Sequence, residues 1–143
     1  HKPILVLTAG TDVFNEIIDN NLEPSIPNTS ALDILCKTLE ERDIRNFPIH
    51  IKLDTGMSRL GYLCAGDMFD TSVEGICQAC TAPGLEAEGI FTHFAVADEP
   101  DADSRAYTMA QFNLFRRVTA AVERRLGRPF AIRHCANSGA VAA

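Results

Sequence analysis

The sequence predicts an α/β fold in which parallel strands alternate with helices, and two observations support this. Short apolar stretches alternate with longer stretches whose apolar residues recur every three or four positions, as expected of buried strands and amphipathic helices. A strand and a helix follow each other four times before a fifth strand, and strands joined in this way run parallel with right-handed crossovers. Five such strands form either an open doubly wound sheet or part of a barrel.

Composition and charge exclude several classes of protein. With 143 residues, 46% of them hydrophobic, the chain is long enough for one domain with a buried core. Its apolar runs, such as residues 4–7, are too short to cross a membrane, and a net charge of −6 does not suit a nucleic-acid partner. Five irregularly spaced cysteines are typical of reduced thiols. We therefore expect a cytoplasmic protein with no membrane partner, no nucleic-acid partner and no metal site.

The first strand is predicted at residues 3–7, a continuous apolar run of the kind buried on both faces of a parallel sheet. Asp12 is predicted to cap a short helix with apolar positions at Val13, Phe14, Ile17 and Ile18. Residues 22–26 form a weaker strand, because prolines lie within and beside it. Thr29 or Ser30 is predicted to cap the second helix, whose apolar stripe is Leu32, Leu35 and Leu39.

The third and fourth units follow the same order. Residues 48–54 alternate apolar and polar, the pattern of a strand with two different faces, and residues 67 to about 81 show helical periodicity that a Pro-Gly pair ends. A strand at 88–94 leads through an acidic loop to the longest helix, which Ser104 is predicted to cap. The last strand follows at residues 130–135, after apolar helix positions at Met109, Phe112, Phe115, Val118, Val122 and Leu126.

Polar side chains lie at or just past the carboxyl ends of three predicted strands. They are Lys52 and Asp54, then His93, then Asn137 and Ser138. Active sites gather at that edge in open parallel sheets and in barrels alike. A hydrolase triad of Ser138, His93 and Asp54 is not favoured, because no nucleophile elbow surrounds the serine. A CxxC sequence at residues 77–80 falls within a predicted helix without a second ligand pair, which favours packing over a zinc or redox role.

Three stretches resemble successive sequence blocks of the alanine racemase family. They are HIKLDTGMSRLGY at residues 50–62, GIFTHFAVADE at 89–99 and HCANSGA at 134–140. The resemblance implies a partial (β/α)₈ barrel that binds pyridoxal 5′-phosphate, with residues 1–143 corresponding to about the third through seventh strands. It also implies a homodimeric parent protein whose carboxyl-terminal β-domain lies outside this sequence. We accordingly expect the chain to be a segment of a longer protein.

Within the first block, the resemblance implies roles for three residues. Arg59 would hydrogen-bond the phenolic oxygen of the cofactor, which a planar guanidinium can do while it stays charged. Lys52 would be the family lysine that is often carbamylated, and its new carboxylate would steady Arg59. Asp54 would have a supporting role.

The other two blocks supply further cofactor contacts by the same resemblance. His93 would lie beside the pyridine ring, Ser138 would contact the cofactor phosphate, and Asn137 would lie in the same loop. A strand-end loop with a hydroxyl and backbone N–H groups that enters a helix is a physically reasonable phosphate site. His50 and His134 are interpreted as structural residues.

The resemblance also identifies what this sequence lacks. The family's Schiff-base lysine lies upstream of residue 1, and its catalytic tyrosine belongs to the carboxyl-terminal domain. The parent is therefore expected to interconvert L- and D-alanine for cell-wall peptidoglycan, with the isolated chain inactive and, because of its open sheet edges, self-associated or marginally folded. Two alternatives stay open: a serine or broad-specificity racemase, and a non-catalytic pyridoxal-phosphate-binding or regulatory barrel.

Overall fold

The structure, a computed structural model, describes residues 2–135 and 137–142. Its strands and helices follow the predicted alternation. In chain order they are β1 (Leu5–Val6), α1 (Phe14–Asp19), β2 (Glu23–Ile26), α2 (Thr29–Glu41), β3 (Phe47–Asp54), β4 (Tyr62–Leu63), α3 (Phe69–Cys80), β5 (Leu85–Thr92), α4 (Ala102–Leu126), β6 (Ile132–His134) and α5 (Ser138–Ala142). None of the helices in these ranges has the length and apolar character needed to cross a membrane.

Five of the strands form one parallel sheet in the order β1-β2-β3-β5-β6, which confirms the predicted parallel arrangement. The sheet is strongly curved. This follows from the positions of Leu7, beyond one edge strand, and Val141, beyond the other, which line the same depression. The result is half of a barrel, with the helices outside. This curvature decides between the two architectures that the sequence left open.

The outer face of the sheet is the apolar core. On β3, Ile49, Ile51 and Leu53 are each at most 1% exposed and belong to one cluster with the buried stripes of α2, α3 and α4. Burial of this kind is the main favourable contribution to folding. The prediction that this strand has an apolar and a polar face is therefore confirmed, with the polar face lying on the inside of the half-barrel.

Strand β4 was not predicted. Its two residues pair in parallel with the end of β3, Tyr62 with Leu53, and the chain can return this closely because residue 61 is glycine. A Cβ on Gly61 would lie 2.6 Å from the Leu53 carbonyl carbon, and its φ of +127° also favours glycine. Two residues are too few for alternation to show in the sequence.

The predicted cap of α2 at Thr29 or Ser30 was wrong. Asn28 is the N-cap, because its backbone is extended and its side chain accepts a hydrogen bond from the Ala31 N–H. A cap must lie just before the first helical residue, and the helix already begins at Thr29.

Two further caps were misassigned. Ser104 does not cap α4; its N–H is instead the donor to Asp101, the true N-cap. Asp12 lies inside a short 3-10 turn, and α1 begins at Phe14 without a side-chain cap. Met109, predicted for the buried stripe of α4, is 54% exposed, because the inner face of that helix passes through Gln111 instead.

Several strand bounds also differ from prediction. β1 and β6 have two and three residues rather than five and six, while β5 begins at Leu85, three residues earlier than expected. The edge strands are short because each has only one neighbour to complete its hydrogen bonds.

The two cysteines of the CxxC sequence pack at the core, Cys80 within the buried cluster and Cys77 against it. Cys77 and Cys80 are free thiols on α3, and burial raises the pKa of Cys80 to about 12. A thiol that stays protonated at neutral pH is a poor nucleophile and a poor metal ligand.

Candidate functional site

The loop that follows β3 is a tight turn held by Asp54. Its Oδ1 accepts hydrogen bonds from the backbone N–H groups of Gly56 and Ser58, each at 3.0 Å. Ser58 has a φ of 57°, a conformation that such side-chain-capped turns tolerate. Asp54 thereby fixes the turn from which the exposed Arg59 projects.

Lys52 lies on the inner face of β3 and is only 4% exposed. Its Nζ is 5.8 Å from the centroid of the Phe91 ring, a cation–π contact. Burial lowers the pKa of Lys52, and the positive charge of Arg59 lowers it further, while Asp54 opposes both effects. The structure therefore brings the lysine and the arginine of the first block close enough to repel each other.

His93 lies just beyond the end of β5 and is half-buried. Burial lowers its pKa, and the charges of Arg59 and Lys52 lower it further. The imidazole is accordingly neutral at physiological pH. Three predicted site residues from two different strands thus share one electrostatic environment.

Asn137 joins the loop after β6 to the loop after β5. Its Nδ2 donates to the Phe94 carbonyl oxygen at 3.3 Å, and its Oδ1 accepts from the Ala140 N–H at 2.9 Å. Ser138 is exposed at the first residue of α5. Asn137 already occupies the Ala140 N–H, and the exposed serine hydroxyl is a hydrogen-bond donor that this loop can offer to an anion.

His93, Asn137 and Ser138 line one open depression of about 620 Å³ at the carboxyl edge of the sheet. Lys52 and Arg59 are not part of its lining and act on it through His93. A larger depression of about 780 Å³ is lined mainly by α4, together with Phe69 and Arg133, and none of the predicted site residues lines it. The predicted residues therefore converge on the edge where parallel sheets bind ligands.

Gln111 is a site-bracing residue that the sequence reading missed. It is 1% exposed and accepts a hydrogen bond from the Ala95 N–H at 3.0 Å. Its Nε2 donates to Thr55 Oγ1 and to the His93 carbonyl oxygen, each at 3.3 Å. One side chain on α4 thereby ties the turn after β3 to the loop after β5.

A second brace comes from Tyr107, whose hydroxyl donates to the Gly56 carbonyl oxygen at 2.5 Å. The sequence did carry a signal for Gln111, which lies four and seven residues before Phe115 and Val118 on the buried stripe of α4. A polar residue at a stripe position is buried and must find hydrogen-bond partners.

The structure gives no support to a hydrolase triad. Asp54 directs its Oδ1 to the turn, and it makes no described hydrogen bond with His93 or Ser138. Within residues 2–135 and 137–142, no three His, Cys, Asp or Glu side chains form a group that could hold a metal ion.

Comparison with known proteins gives one consistent result. The model of the family "Alanine racemase, N-terminal domain" matches residues 1–143. The alanine racemase of Clostridium tetani is 37% identical over 142 residues, which are 97% of this chain and 34% of that protein. The alanine racemase of Methanococcus maripaludis is 34% identical over 140 residues, 97% of this chain and 35% of that protein.

Solved structures agree with the sequence relatives. An alanine racemase of Clostridium difficile superimposes with a TM-score of 0.85 at 27% identity, covering 99% of this chain and 35% of that one. The alanine racemase of Bacillus anthracis with bound L-Ala-P gives a TM-score of 0.81 at 28% identity, covering 100% and 35%. The chain therefore spans about a third of the length of the proteins that it matches.

Proposed function

This chain belongs to the alanine racemase family by its N-terminal domain, and on that premise we propose that it forms about strands three to seven of the cofactor barrel of an alanine racemase. The observation that carries the proposal is that His93, Asn137 and Ser138 of the second and third blocks line one depression, while Gln111 ties the turn of the first block to His93. The complete protein would interconvert L- and D-alanine as a homodimer.

The side chains at this edge suit pyridoxal 5′-phosphate. The cofactor carries anionic oxygens at its phosphate and its phenolic group, and the edge offers an exposed hydroxyl on Ser138 and an exposed guanidinium on Arg59. We assign Ser138 to the phosphate, with Asn137 shaping the loop, and Arg59 to the phenolic oxygen. Neutral His93 would then lie beside the ring without adding a further positive charge.

Lys52 is suited to carbamylation rather than to covalent cofactor binding. Its lowered pKa enlarges the fraction of neutral amine, the form that attacks CO₂ to give a carbamate and release one proton. Carbamylation would turn the positive charge beside Arg59 into a negative one. The repulsion between the two side chains would become an attraction that holds the guanidinium in place.

The division of labour in the reaction follows from these assignments. Pyridoxal phosphate, when bound, supplies an electron-withdrawing ring that accepts the charge left on the substrate as its α-proton leaves. Residues of this chain would bind and orient that ring and tune its charge. The lysine and the tyrosine that move the proton would come from outside residues 1–143.

The test uses the complete protein that contains this chain, supplied with pyridoxal phosphate and L-alanine and analysed for D-alanine by chiral chromatography. Racemisation of alanine is expected, and Arg59→Lys should lower kcat/KM on the order of 10²-fold, because a point charge cannot replace the guanidinium fork. Arg45→Lys, on an exposed side chain, is the matched control. Faster turnover of serine would assign the broader racemase, and cofactor binding without turnover of either amino acid would assign a regulatory barrel.

A further inference from the structure

A second group of buried polar side chains lies on the inner face of the half-barrel, below the residues already assigned. His50 is 3% exposed and Glu23 is 7% exposed. His50 Nε2 lies 3.1 Å from Glu23 Oε2 on β2, and His50 Nδ1 lies 3.3 Å from His134 Nε2 on β6. Both nitrogens of one buried ring are therefore engaged, one by a carboxylate and the other by a second imidazole.

The two histidines are in contact although their strands, β3 and β6, are not neighbours in the sheet. β5 lies between β3 and β6 in the sheet, and Gly89 on β5 is paired in register with His50. A Cβ at residue 89 would overlap the His50 ring. The missing side chain leaves the space in which the two rings meet.

The orientation of His134 is fixed as well. Its ring stacks on Phe91 with a centroid distance of 4.7 Å and an interplanar angle of 6°. His134 also lines the depression that holds His93, Asn137 and Ser138. His134 therefore belongs both to the buried polar group and to the wall of that depression.

We propose that Glu23, His50 and His134 form a chain in which the protonation of His50 sets which nitrogen of His134 carries its proton. When His50 is neutral, the Glu23 carboxylate holds the proton on His50 Nε2, so His50 Nδ1 accepts from His134 Nε2–H and His134 Nδ1 is an acceptor. When His50 gains a second proton, its Nδ1–H donates to His134 Nε2. His134 then carries its proton on Nδ1 and becomes a donor.

The charges around the chain favour this order of protonation. Glu23 on β2 is the carboxylate in contact with a histidine, and it contacts His50 rather than His134. Burial lowers the pKa of His134, and the charge of His50 lowers it further, so the second ring stays neutral while the first is protonated. Lys52 lies two residues along the same face of β3.

Among the described residues, Glu23 is the charged side chain that contacts this pair of rings, and Glu86 and Glu88 precede Gly89 on β5. β1 consists of Leu5 and Val6, and β5 presents Gly89 and Phe91 opposite His50 and Lys52. His93 and Asp54 lie farther along, at the carboxyl edge. The carboxylate of Glu23 is accordingly the charged group in direct contact with one of the two rings, that of His50.

The test is ¹⁵N NMR of the histidine rings in the complete protein that contains this chain, with two-bond ¹H–¹⁵N correlations recorded from alkaline to mildly acidic pH. We expect His50 to become doubly protonated first, and the protonated nitrogen of His134 to change from Nε2 to Nδ1 at the same pH while that ring stays neutral. His134 keeping one tautomer throughout, or charging before His50, would overturn the proposal. The readout is independent of racemase activity, so it stands or fails apart from the proposed function.

Two variants sharpen the test. Glu23→Gln removes the charge and should lower the midpoint of both changes together by about 1 to 3 pH units, whereas Glu86→Gln on an exposed position of β5 should leave both unchanged. If the first variant does not fold, His50→Gln replaces it; His134 should then show no change of tautomer over the same pH range. Independent midpoints for His50 and His134 in any folded variant would contradict the coupling.

Discussion

The two faces of β3 are equally buried and chemically opposite. Ile49, Ile51 and Leu53 on the outer face are 0–1% exposed, and on the inner face His50, Lys52 and Asp54 are 3%, 4% and 7% exposed in turn. The outer residues are covered by helices. The inner residues are covered by the curvature of the sheet, which places polar partners from other strands against them.

This contrast separates burial that stabilises the fold from burial that prepares a site. Burial of an apolar side chain stabilises the folded state. A buried polar side chain loses its hydrogen bonds to water, and hydrogen bonds to protein partners only replace them. His50 and Asp54 have such partners. Lys52 contacts the face of the Phe91 ring and is repelled by Arg59. The inner face therefore holds a buried positive charge that its surroundings disfavour, and the outer face holds no charge.

The largest effect should come from the outer face. Ile51→Ala removes a fully buried side chain and leaves a cavity that the helices cannot close, which should lower the free energy of unfolding by about 3 kcal/mol. Urea denaturation followed by circular dichroism measures it. Ile34→Ala, on a side chain of α2 that is 41% exposed, is the control and should change stability by less than about 0.5 kcal/mol. If the two variants lost the same free energy of unfolding, burial on the outer face of β3 would not be a main source of stability.

Gly89→Ala tests the inner face by adding volume rather than removing it. The new Cβ would overlap the His50 ring and should cost about 2 kcal/mol through displaced packing. Gly75→Ala on α3 is the matched substitution, because its Cβ would be 3.4 Å from its nearest neighbour, on Tyr62, and alanine favours a helix by up to about 1 kcal/mol. The thermal unfolding temperature should therefore fall for Gly89→Ala and rise for Gly75→Ala. Shifts of the same sign would show that the His50 ring does not need the space left by Gly89.

Lys52→Met should cost little stability, in contrast to its neighbour Ile51. The pKa of Lys52 in the folded chain lies below its ordinary value of 10.5. The unfolded chain therefore binds the lysine proton more tightly than the folded chain does. The charged lysine thus opposes folding at neutral pH, and methionine should be neutral or stabilising by about 1 kcal/mol. A loss as large as that of Ile51→Ala, measured in the same denaturant series, would show that the lysine is a structural residue.

The smallest effect concerns His93 and pH. Its folded-state pKa is below 6.5, so its contribution to stability is complete above that value and decreases as the pH falls through it. Between about pH 7.5 and 5.5, the free energy of unfolding of the unsubstituted protein should fall by up to roughly 1 kcal/mol more than that of the His93→Gln variant. Denaturation at the two pH values measures the difference, and parallel losses would mean that the histidine is not held neutral by its surroundings.

Much of the site was predictable because its residues follow strands with a clear local pattern. Lys52 and Asp54, His93, and Asn137 with Ser138 each end or follow a short apolar strand, and parallel strands bring those ends to one edge. The roles of these residues toward a cofactor stay predictions. Helix caps were less predictable, since Asn28 or Ser30, and Asp101 or Ser104, are equally good capping types and only the backbone conformation decides between them.

By itself, the sequence determined the alternation of strands and helices and the two-faced character of β3, because both follow from the spacing of neighbouring residues. Only the tertiary structure decided the curvature of the sheet, the two-residue strand β4 and the brace made by Gln111. It alone also brought Glu23 and His134 to His50, from 27 and 84 residues away. Contacts over such separations depend on register and curvature, which are properties of the whole sheet and leave no periodic mark on the chain.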